Sequence, residues 1–191
     1  MAEKLIPTPS QTVGPFFHLG LDRPEWGDLT RGDPAGEKVA IEGRVIDGDG
    51  APVPDAMIEL WQANAAGRYN HPEDRQEDKP LDPNFRGFGR VATDGEGRFR
   101  VVTIKPGPVP GRGNTLQAPH INIAVFARGM LIHLYTRIYF ADDPRNTVDP
   151  LLSSIEDAAV RGTLLARPAE PGVWHFDIVL QGENETAFLD I

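Results

Sequence analysis

Short segments in which apolar and polar residues alternate recur along this chain, and turns containing Gly and Pro separate them. Alternation with a period of two is typical of half-buried strands, and 20 glycines with 18 prolines suit many short strands better than a helical bundle. Turn sequences at residues 47–50 and 94–97 predict hairpins. The fold class is therefore predicted to be all-β, an antiparallel β-sandwich, with strands over residues 39–46, 56–61, 87–93, 98–104, 120–126, 131–140 and 174–180.

The length of 191 residues allows one well-buried core, with extensions, rather than two ordinary domains. Residues 1–38 contain five prolines and little periodicity, which predicts an N-terminal arm ahead of a β-sandwich domain over residues 39–191. Phe16 and Phe17 are costly to leave in water, so the arm is expected to dock on this domain or on a partner chain. Short helices are expected in loops, such as one that follows Asp149 as its cap.

Charge and composition exclude several classes of partner. The formal net charge of -9 argues against nucleic acid or an anionic membrane as the main partner. The sequence contains no Cys, which rules out disulfides and thiolate metal sites and makes the cytoplasm the expected location. Neither an apolar secretory signal nor a transmembrane run is apparent in the sequence.

Two strands carry polar faces that could form a site. In QAPHINIAVF (residues 117–126), His120 and Asn122 share one face, but an amide binds transition metals poorly beside nitrogen and anionic oxygen ligands. From this stretch alone, a core histidine bonded to a backbone carbonyl is the favoured interpretation. On residues 131–140 the polar face carries two phenols and Arg137, which could bind a carboxylate or form a surface ion pair.

Four ordered motifs resemble the intradiol ring-cleavage dioxygenases: LWQANAAGRY (60–69), PNFRG (83–87), TIKPG (103–107) and APHI (118–121). The resemblance covers nearly all of the chain from residue 39 onward. It implies a β-sandwich that uses a ferric ion, held by two tyrosines and two histidines, to cleave catechols between their hydroxyl groups.

The resemblance assigns the four ligand positions unequally. Tyr69 matches the first tyrosine and His120 the first histidine, whereas Val109 and Asn122 stand where the second tyrosine and second histidine are expected. Gln117 stands where the family places an arginine that stabilises the bound catecholate. One phenolate and one imidazole should hold ferric iron poorly, so these positions are predicted to be vestigial and the chain to bind no metal.

This pattern of losses, together with the arm TPSQTVGPF (8–16), resembles the chain without iron in a two-chain enzyme of the family. The resemblance implies a homologous beta partner that binds Fe(3+), a higher hetero-oligomer, and protocatechuate and O2 as substrates. It further implies that Thr12, Gly14, Pro15 and Arg137 line the substrate pocket of the partner in trans.

Two alternatives remain open at the level of the sequence. The chain could be a self-sufficient dioxygenase that recruits His71 or His133 as iron ligands. It could also be a non-catalytic β-sandwich that carries a small ligand or acts as a scaffold. A weak residual metal site at Tyr69 and His120 is a further possibility.

Overall fold

The structure is a computed structural model, and it describes residues 11–14, 17–113 and 115–190, the side chain of His18 excepted. The strands in chain order are β1 (Lys38–Ile46), β2 (Met57–Trp61), β3 (Phe88–Ala92), β4 (Arg98–Ile104), β5 (Val109–Pro110), β6 (Leu116–Gln117), β7 (His120–Phe126), β8 (Leu134–Phe140), β9 (Leu165–Glu170), β10 (Val173–His175) and β11 (Ile178–Val179). The helices are α1 (Phe17–Gly20), α2 (Pro150–Ser154) and α3 (Ala158–Gly162), with 3₁₀ turns at Pro24–Gly27 and Pro144–Thr147.

The strands form two layers that one strand connects. One layer contains β4, β1, β10 and β11, and the other contains β3, β2, β7 and β8. Strand β9 begins parallel to β8 and continues antiparallel to β10, so it passes from one layer to the other. The all-β sandwich is confirmed, but the hydrogen bonding is mixed, because β1 also pairs in parallel with β10 and β11.

The core lies between the two layers. Alternation along β7 buries Ile121, Ile123 and Val125, as the sequence predicts, and their side chains pack in one cluster with apolar residues of the facing layer. An edge-to-face contact between Phe140 and Trp174, with ring centroids 5.0 Å apart, joins β8 to β10. Burial of this cluster supplies the main driving force for folding.

Both predicted turns form, but only the turn at 47–50 closes an antiparallel pairing, a short one in which Ile46 bridges Pro52 and the amide of Val53 donates to the carbonyl oxygen of Val45 at 2.9 Å. At residues 94–97 the amide of Gly97 donates to the carbonyl oxygen of Asp94 at 2.9 Å, and Gly97 has a φ of 71°. The strands on either side then diverge, since β3 pairs with β2 and β4 pairs with β1. The turn at 47–50 likewise precedes a crossing from one layer to the other.

Part of the predicted arm packs on the domain of its own chain. Phe17 is buried, and Leu29 packs against the core while its amide donates to the carbonyl oxygen of Val102 at 2.8 Å. Phe16 lies outside the described residues. The division at residue 38 and the contact between the arm and a partner chain remain predictions.

The helix predicted after Asp149 is confirmed as α2. The Asp149 carboxylate accepts from the amides of Leu151 and Leu152 at 2.9 and 3.0 Å, as expected of an N-cap. In the part of the chain that the structure describes, no helix combines the length and apolarity needed to cross a membrane.

Candidate functional site

The pairing of β7 with β8 brings the predicted polar side chains together. Asn122 lies opposite Arg137, and His120 lies opposite Tyr139. These four residues point away from the apolar cluster that Ile121 and its neighbours occupy. The register therefore builds a polar site on the outer side of this sheet.

The loop that carries Tyr69 is held against the loop before β5. Asn64 organises it, because its side-chain oxygen accepts from the amides of Ala66 and Arg68, each at 3.0 Å. At Gly67 the φ is 81°, and a Cβ atom would come within 2.0 Å of the carbonyl oxygen of Pro108. Only glycine permits this approach, which places Tyr69 close to the loop that continues into β5.

Tyr69 is half-buried, and its ring stacks on Trp61 with centroids 5.6 Å apart. The side-chain nitrogen of Asn122 donates to the phenolic oxygen at 3.2 Å. Burial raises the pKa of the Tyr69 phenol more than this hydrogen bond and the charge of Arg137 lower it. The phenol is therefore neutral, whereas a ferric ligand would be a phenolate.

Arg137 supplies a positive charge at the centre of the site. Its Nε donates to the side-chain oxygen of Asn122 at 3.0 Å, and Nη1 donates to Gln117 at 2.6 Å and to the Tyr139 hydroxyl at 3.2 Å. Because a guanidinium only donates, the contact fixes the orientation of the Asn122 amide. Arg137 on β8 thus places a guanidinium next to Gln117, the position at which the resemblance implies an arginine.

No carboxylate forms an ion pair with Arg137 among the residues described. The surface ion pair left open by the sequence is thus not observed, and the hydrogen-bond partners of the guanidinium are neutral groups.

His120 is buried and bonded to the backbone. Its Nδ1 lies 2.8 Å from the carbonyl oxygen of Ala118, to which the neutral ring donates. Burial, together with the charge of Arg137, lowers the pKa of His120 to about 4. The histidine satisfied by a backbone carbonyl, favoured from the sequence, is what the structure shows.

A buried carboxylate ties the polar face to α2. Asp149 accepts from the Tyr139 hydroxyl at 3.2 Å and from the amide of Ala118 at 2.8 Å. Ala118 lies two residues before His120 in the sequence. Sequence reasoning identified Asp149 only as a helix cap. Its contact with Ala118 joins residues 31 positions apart, so no local sequence pattern could indicate that Asp149 also binds the polar face.

The donor set does not fit ferric iron. Val109 is buried and apolar, and the Asn122 amide is engaged by both Tyr69 and Arg137. The guanidinium lies where a trivalent cation would be repelled. Among the residues that the structure describes, no group of three or more His, Cys, Asp or Glu side chains is arranged to hold a metal ion.

The two alternative histidines lie apart from each other. His71 contacts the edge of Trp61, with ring centroids 6.4 Å apart, near Tyr69. His133 is stacked on Phe126 and packs edge-to-face on Tyr135, towards the other end of β7. Of the two, the structure therefore places His71 at the same cavity as Tyr69, whereas His133 packs at the other end of the strand.

Within the predicted arm, Thr12 binds the turn that follows β7. Thr12 Oγ1 accepts from the amide of Gly129 at 2.8 Å and donates to the carbonyl oxygen of Ala127 at 3.2 Å. Asn122 lies about 17 Å from there at the rise of an extended strand. Thr12 and the exposed Gly14 thus lie apart from Arg137 in this chain, and Pro15 lies outside the described residues.

Comparisons with known proteins agree with the four motifs. A family model described as Dioxygenase matches residues 14–182. Across the whole of both chains, the sequence is 41% identical to the protocatechuate 3,4-dioxygenase alpha chain of Pseudomonas putida. It is also 41% identical to the protocatechuate 3,4-dioxygenase beta chain of Burkholderia cepacia, over 93% of this chain and 77% of that one. Overall identity therefore does not distinguish the two kinds of chain.

Solved structures show the same fold. The dioxygenase domain of a dioxygenase carbohydrate-binding protein fusion from Streptomyces sp. SirexAA-E superposes with a TM-score of 0.62 and 30% identity, covering 95% of this chain and all of that one. Catechol 1,2-dioxygenase from Acinetobacter sp. ADP1 gives a TM-score of 0.60 and 25% identity, over 80% of this chain and 55% of that chain.

Proposed function

This chain belongs to the intradiol ring-cleavage dioxygenase family, and on that premise we propose that it is the alpha subunit of a protocatechuate 3,4-dioxygenase that binds no iron itself. A homologous beta chain holds Fe(3+), and the complex inserts both atoms of O2 into protocatechuate to give 3-carboxy-cis,cis-muconate. The isolated chain is inactive. The reaction belongs to the cytoplasmic catabolism of aromatic compounds through the beta-ketoadipate pathway.

The observation that carries this proposal is the pair Val109 and Asn122. A valine side chain cannot bind a metal, and the Asn122 amide is already held between Tyr69 and Arg137. Overall identity is equal to an alpha and to a beta chain, so the proposal rests on these two positions rather than on overall identity. The end-to-end match to the alpha chain of Pseudomonas putida supports the same choice.

The arm is proposed to contribute to the pocket of the partner. Thr12 anchors it beside Gly129, and Gly14 is exposed two residues further on. A glycine there allows the backbone to approach a ligand closely. Pro15 would follow in the same pocket. Arg137 is proposed to join them as a cation near the carboxylate of the substrate.

The deciding experiment measures iron and visible absorbance for this chain purified alone and co-expressed with a beta chain. Ferric phenolate sites are coloured, so absorbance reports the ligands directly. We expect the single chain to be colourless and inactive and the complex to be coloured and active. Iron and activity in the single chain would instead establish a self-sufficient dioxygenase. Full activity of a beta chain alone would indicate that this chain acts only as a scaffold.

A further inference from the structure

We propose that Asp49 is a site of spontaneous covalent modification, at which the peptide link to Gly50 converts into an isoaspartyl link. The sequence contains three Asp-Gly pairs, at residues 47–48, 49–50 and 94–95. All three lie in the two turns described above, and the surroundings of their carboxylates differ. The inference does not depend on the proposed function.

The reaction needs only water and the two residues of the pair. The backbone nitrogen of the glycine attacks the side-chain carboxyl carbon of the aspartate, and a C–N bond forms while the amide proton and the carboxyl hydroxyl leave as water. Water then opens the resulting five-membered succinimide. Attack at the side-chain carbonyl carbon restores the aspartyl link, whereas attack at the backbone carbonyl carbon leaves the chain running through the side chain. Glycine favours the first step because it has no Cβ to hinder the approach.

The carboxylate of Asp47 is held away from this reaction. Its Oδ1 accepts from the amides of Asp49 and Ala51, each at 2.9 Å. The side chain thus closes the turn that follows β1. Its carboxyl carbon cannot move towards the nitrogen of Gly48 unless both hydrogen bonds break.

The carboxylate of Asp94 is held more firmly still. Its Oδ1 accepts from the amides of Glu96 and Arg98, each at 2.9 Å, and its Oδ2 accepts from Nε of Arg98 at 3.0 Å. The hydrogen bond from the Arg98 amide above all lowers the pKa of this carboxyl group. The protonated form, which is the one that loses water, is therefore scarcer at Asp94.

The carboxylate of Asp49 has no such partners. Both Asp49 and Gly50 are exposed, and in the described part of the chain no group donates to this carboxylate or pairs with it. The Asp49 amide is the group of this residue that the turn engages. The side chain is therefore free to rotate towards the nitrogen of Gly50.

One hydrogen bond restrains the attacking nitrogen. The amide of Gly50 donates to the carbonyl oxygen of Asp47 at 3.2 Å, which is longer than is usual for this kind of bond. Gly50 has a φ of 80°, and a Cβ atom placed on it would meet no other atom within 4 Å. Breaking this bond disturbs no packing, so the tip of the turn opens more readily than the core.

Modification would change the turn rather than the core. The isoaspartyl link adds a methylene to the backbone between the amides of Asp49 and Ala51, which Asp47 holds together. One of these two hydrogen bonds must therefore lengthen. The product also exposes a backbone α-carboxylate, which is the group recognised by methyltransferases specific for isoaspartyl residues.

The test is prolonged incubation of the folded full chain at mildly acidic pH and physiological temperature, followed by digestion with trypsin. Peptides 45–68 and 91–98 contain the three pairs. Fragmentation in the mass spectrometer locates isoaspartate, and ¹⁸O uptake from labelled water reports the succinimide. We expect about fivefold more isoaspartate at Asp49 than at Asp47 or Asp94. The difference should disappear in guanidinium chloride, where all three pairs are unfolded.

Asp49→Glu keeps the charge but would require a six-membered ring, so it should abolish most of the methyl groups that an isoaspartyl methyltransferase transfers to the aged chain. The matched control is Gly95→Ala, because position 95 has room for a Cβ atom. This variant should leave the modification at Asp49 unchanged. Equal amounts of isoaspartate at the three pairs of the folded chain, none at Asp49, or undiminished methyl transfer to Asp49→Glu would overturn the inference.

Discussion

Nη1 of Arg137 on β8 lies 2.6 Å from the side-chain oxygen of Gln117 on β6, so one guanidinium and one amide share the position for which the family resemblance implies an arginine. The pair predicts a charge-swap experiment. Gln117→Arg alone should lower the free energy of unfolding by about 1–3 kcal/mol, because two guanidinium groups then meet in a half-buried site. The double variant Gln117→Arg with Arg137→Gln should recover most of the lost free energy of unfolding, measured by denaturant titration. Gln117→Met is the control for loss of the acceptor alone, and an exchange as unstable as the single variant would contradict the pairing.

The vestigial ligands predict a gain of iron binding. Val109→Tyr with Asn122→His restores two donors, but Arg137 still opposes a trivalent cation. We expect weak iron binding in this double variant, and tighter binding with a stronger visible band once Arg137→Gln is added. Val109→Phe with Asn122→His adds similar bulk with one donor fewer and is the control. Colourless protein from the triple variant would show that the loop containing Val109 does not direct a side chain into the site.

His120 predicts a loss of stability in acid. Its pKa in the folded chain is about 4, below the ordinary value of 6.5, so in this interval the unfolded chain binds a proton that the folded chain does not. Stability should therefore fall as the pH drops from 6.5 towards 4 and be unaffected by this group at higher pH. The contribution between about pH 7 and pH 5 is roughly 2 kcal/mol. His120→Gln should flatten this part of the pH profile in urea unfolding, and parallel profiles would rule the residue out.

Asp149 should matter more to stability than an ordinary helix cap. It is fully buried and also accepts from Ala118 and Tyr139, and its amide replacement would turn a donor towards one of these groups. Asp149→Asn is expected to cost about 1–3 kcal/mol in chemical unfolding. Asp157→Asn, at the exposed cap of α3, is the matched change and should cost less than about 1 kcal/mol. Equal effects would mean that only capping counts.

Thr12 tests the arm in the complex with a beta chain. Thr12→Val keeps the shape but loses the hydrogen bonds to Ala127 and Gly129. We expect a several-fold rise in KM for protocatechuate with unchanged iron content, because the arm loses its anchor. Arg137→Ala is measured in parallel. A similar rise in KM would support a role for Arg137 in the partner's pocket. An unchanged KM would indicate that Arg137 acts only within the site of its own chain.

The predictable parts of the fold depend on local patterns. Alternation identified β4 with its observed bounds, and a Pro after Asp149 identified α2. β9 was not predicted, because residues 165–170 are mostly exposed and contain a proline, which removes the apolar alternation. The two turns were correctly placed, but a turn does not specify which layer the next strand joins.

The site was predictable in its residues but not in its connections. Motif positions identified Tyr69, Val109, His120 and Asn122, and alternation placed Arg137 on a polar face. The contact of Arg137 with Asn122 depends on the register of β7 and β8, which no local sequence signal fixed. The contact of Thr12 with Gly129 joins residues 117 positions apart, so no local sequence signal could predict it either.

The first strand of the sandwich has consequences for how the protein is made. One edge of β1 is completed by β10 and β11, which lie more than 120 residues later in the chain. During synthesis on the ribosome, the backbone groups of that edge stay unpaired until residues 173–179 have emerged. Closing so long a loop is slow, so this edge is expected to close late in folding, and a chain terminated before β10 would present β1 as an open edge prone to aggregation.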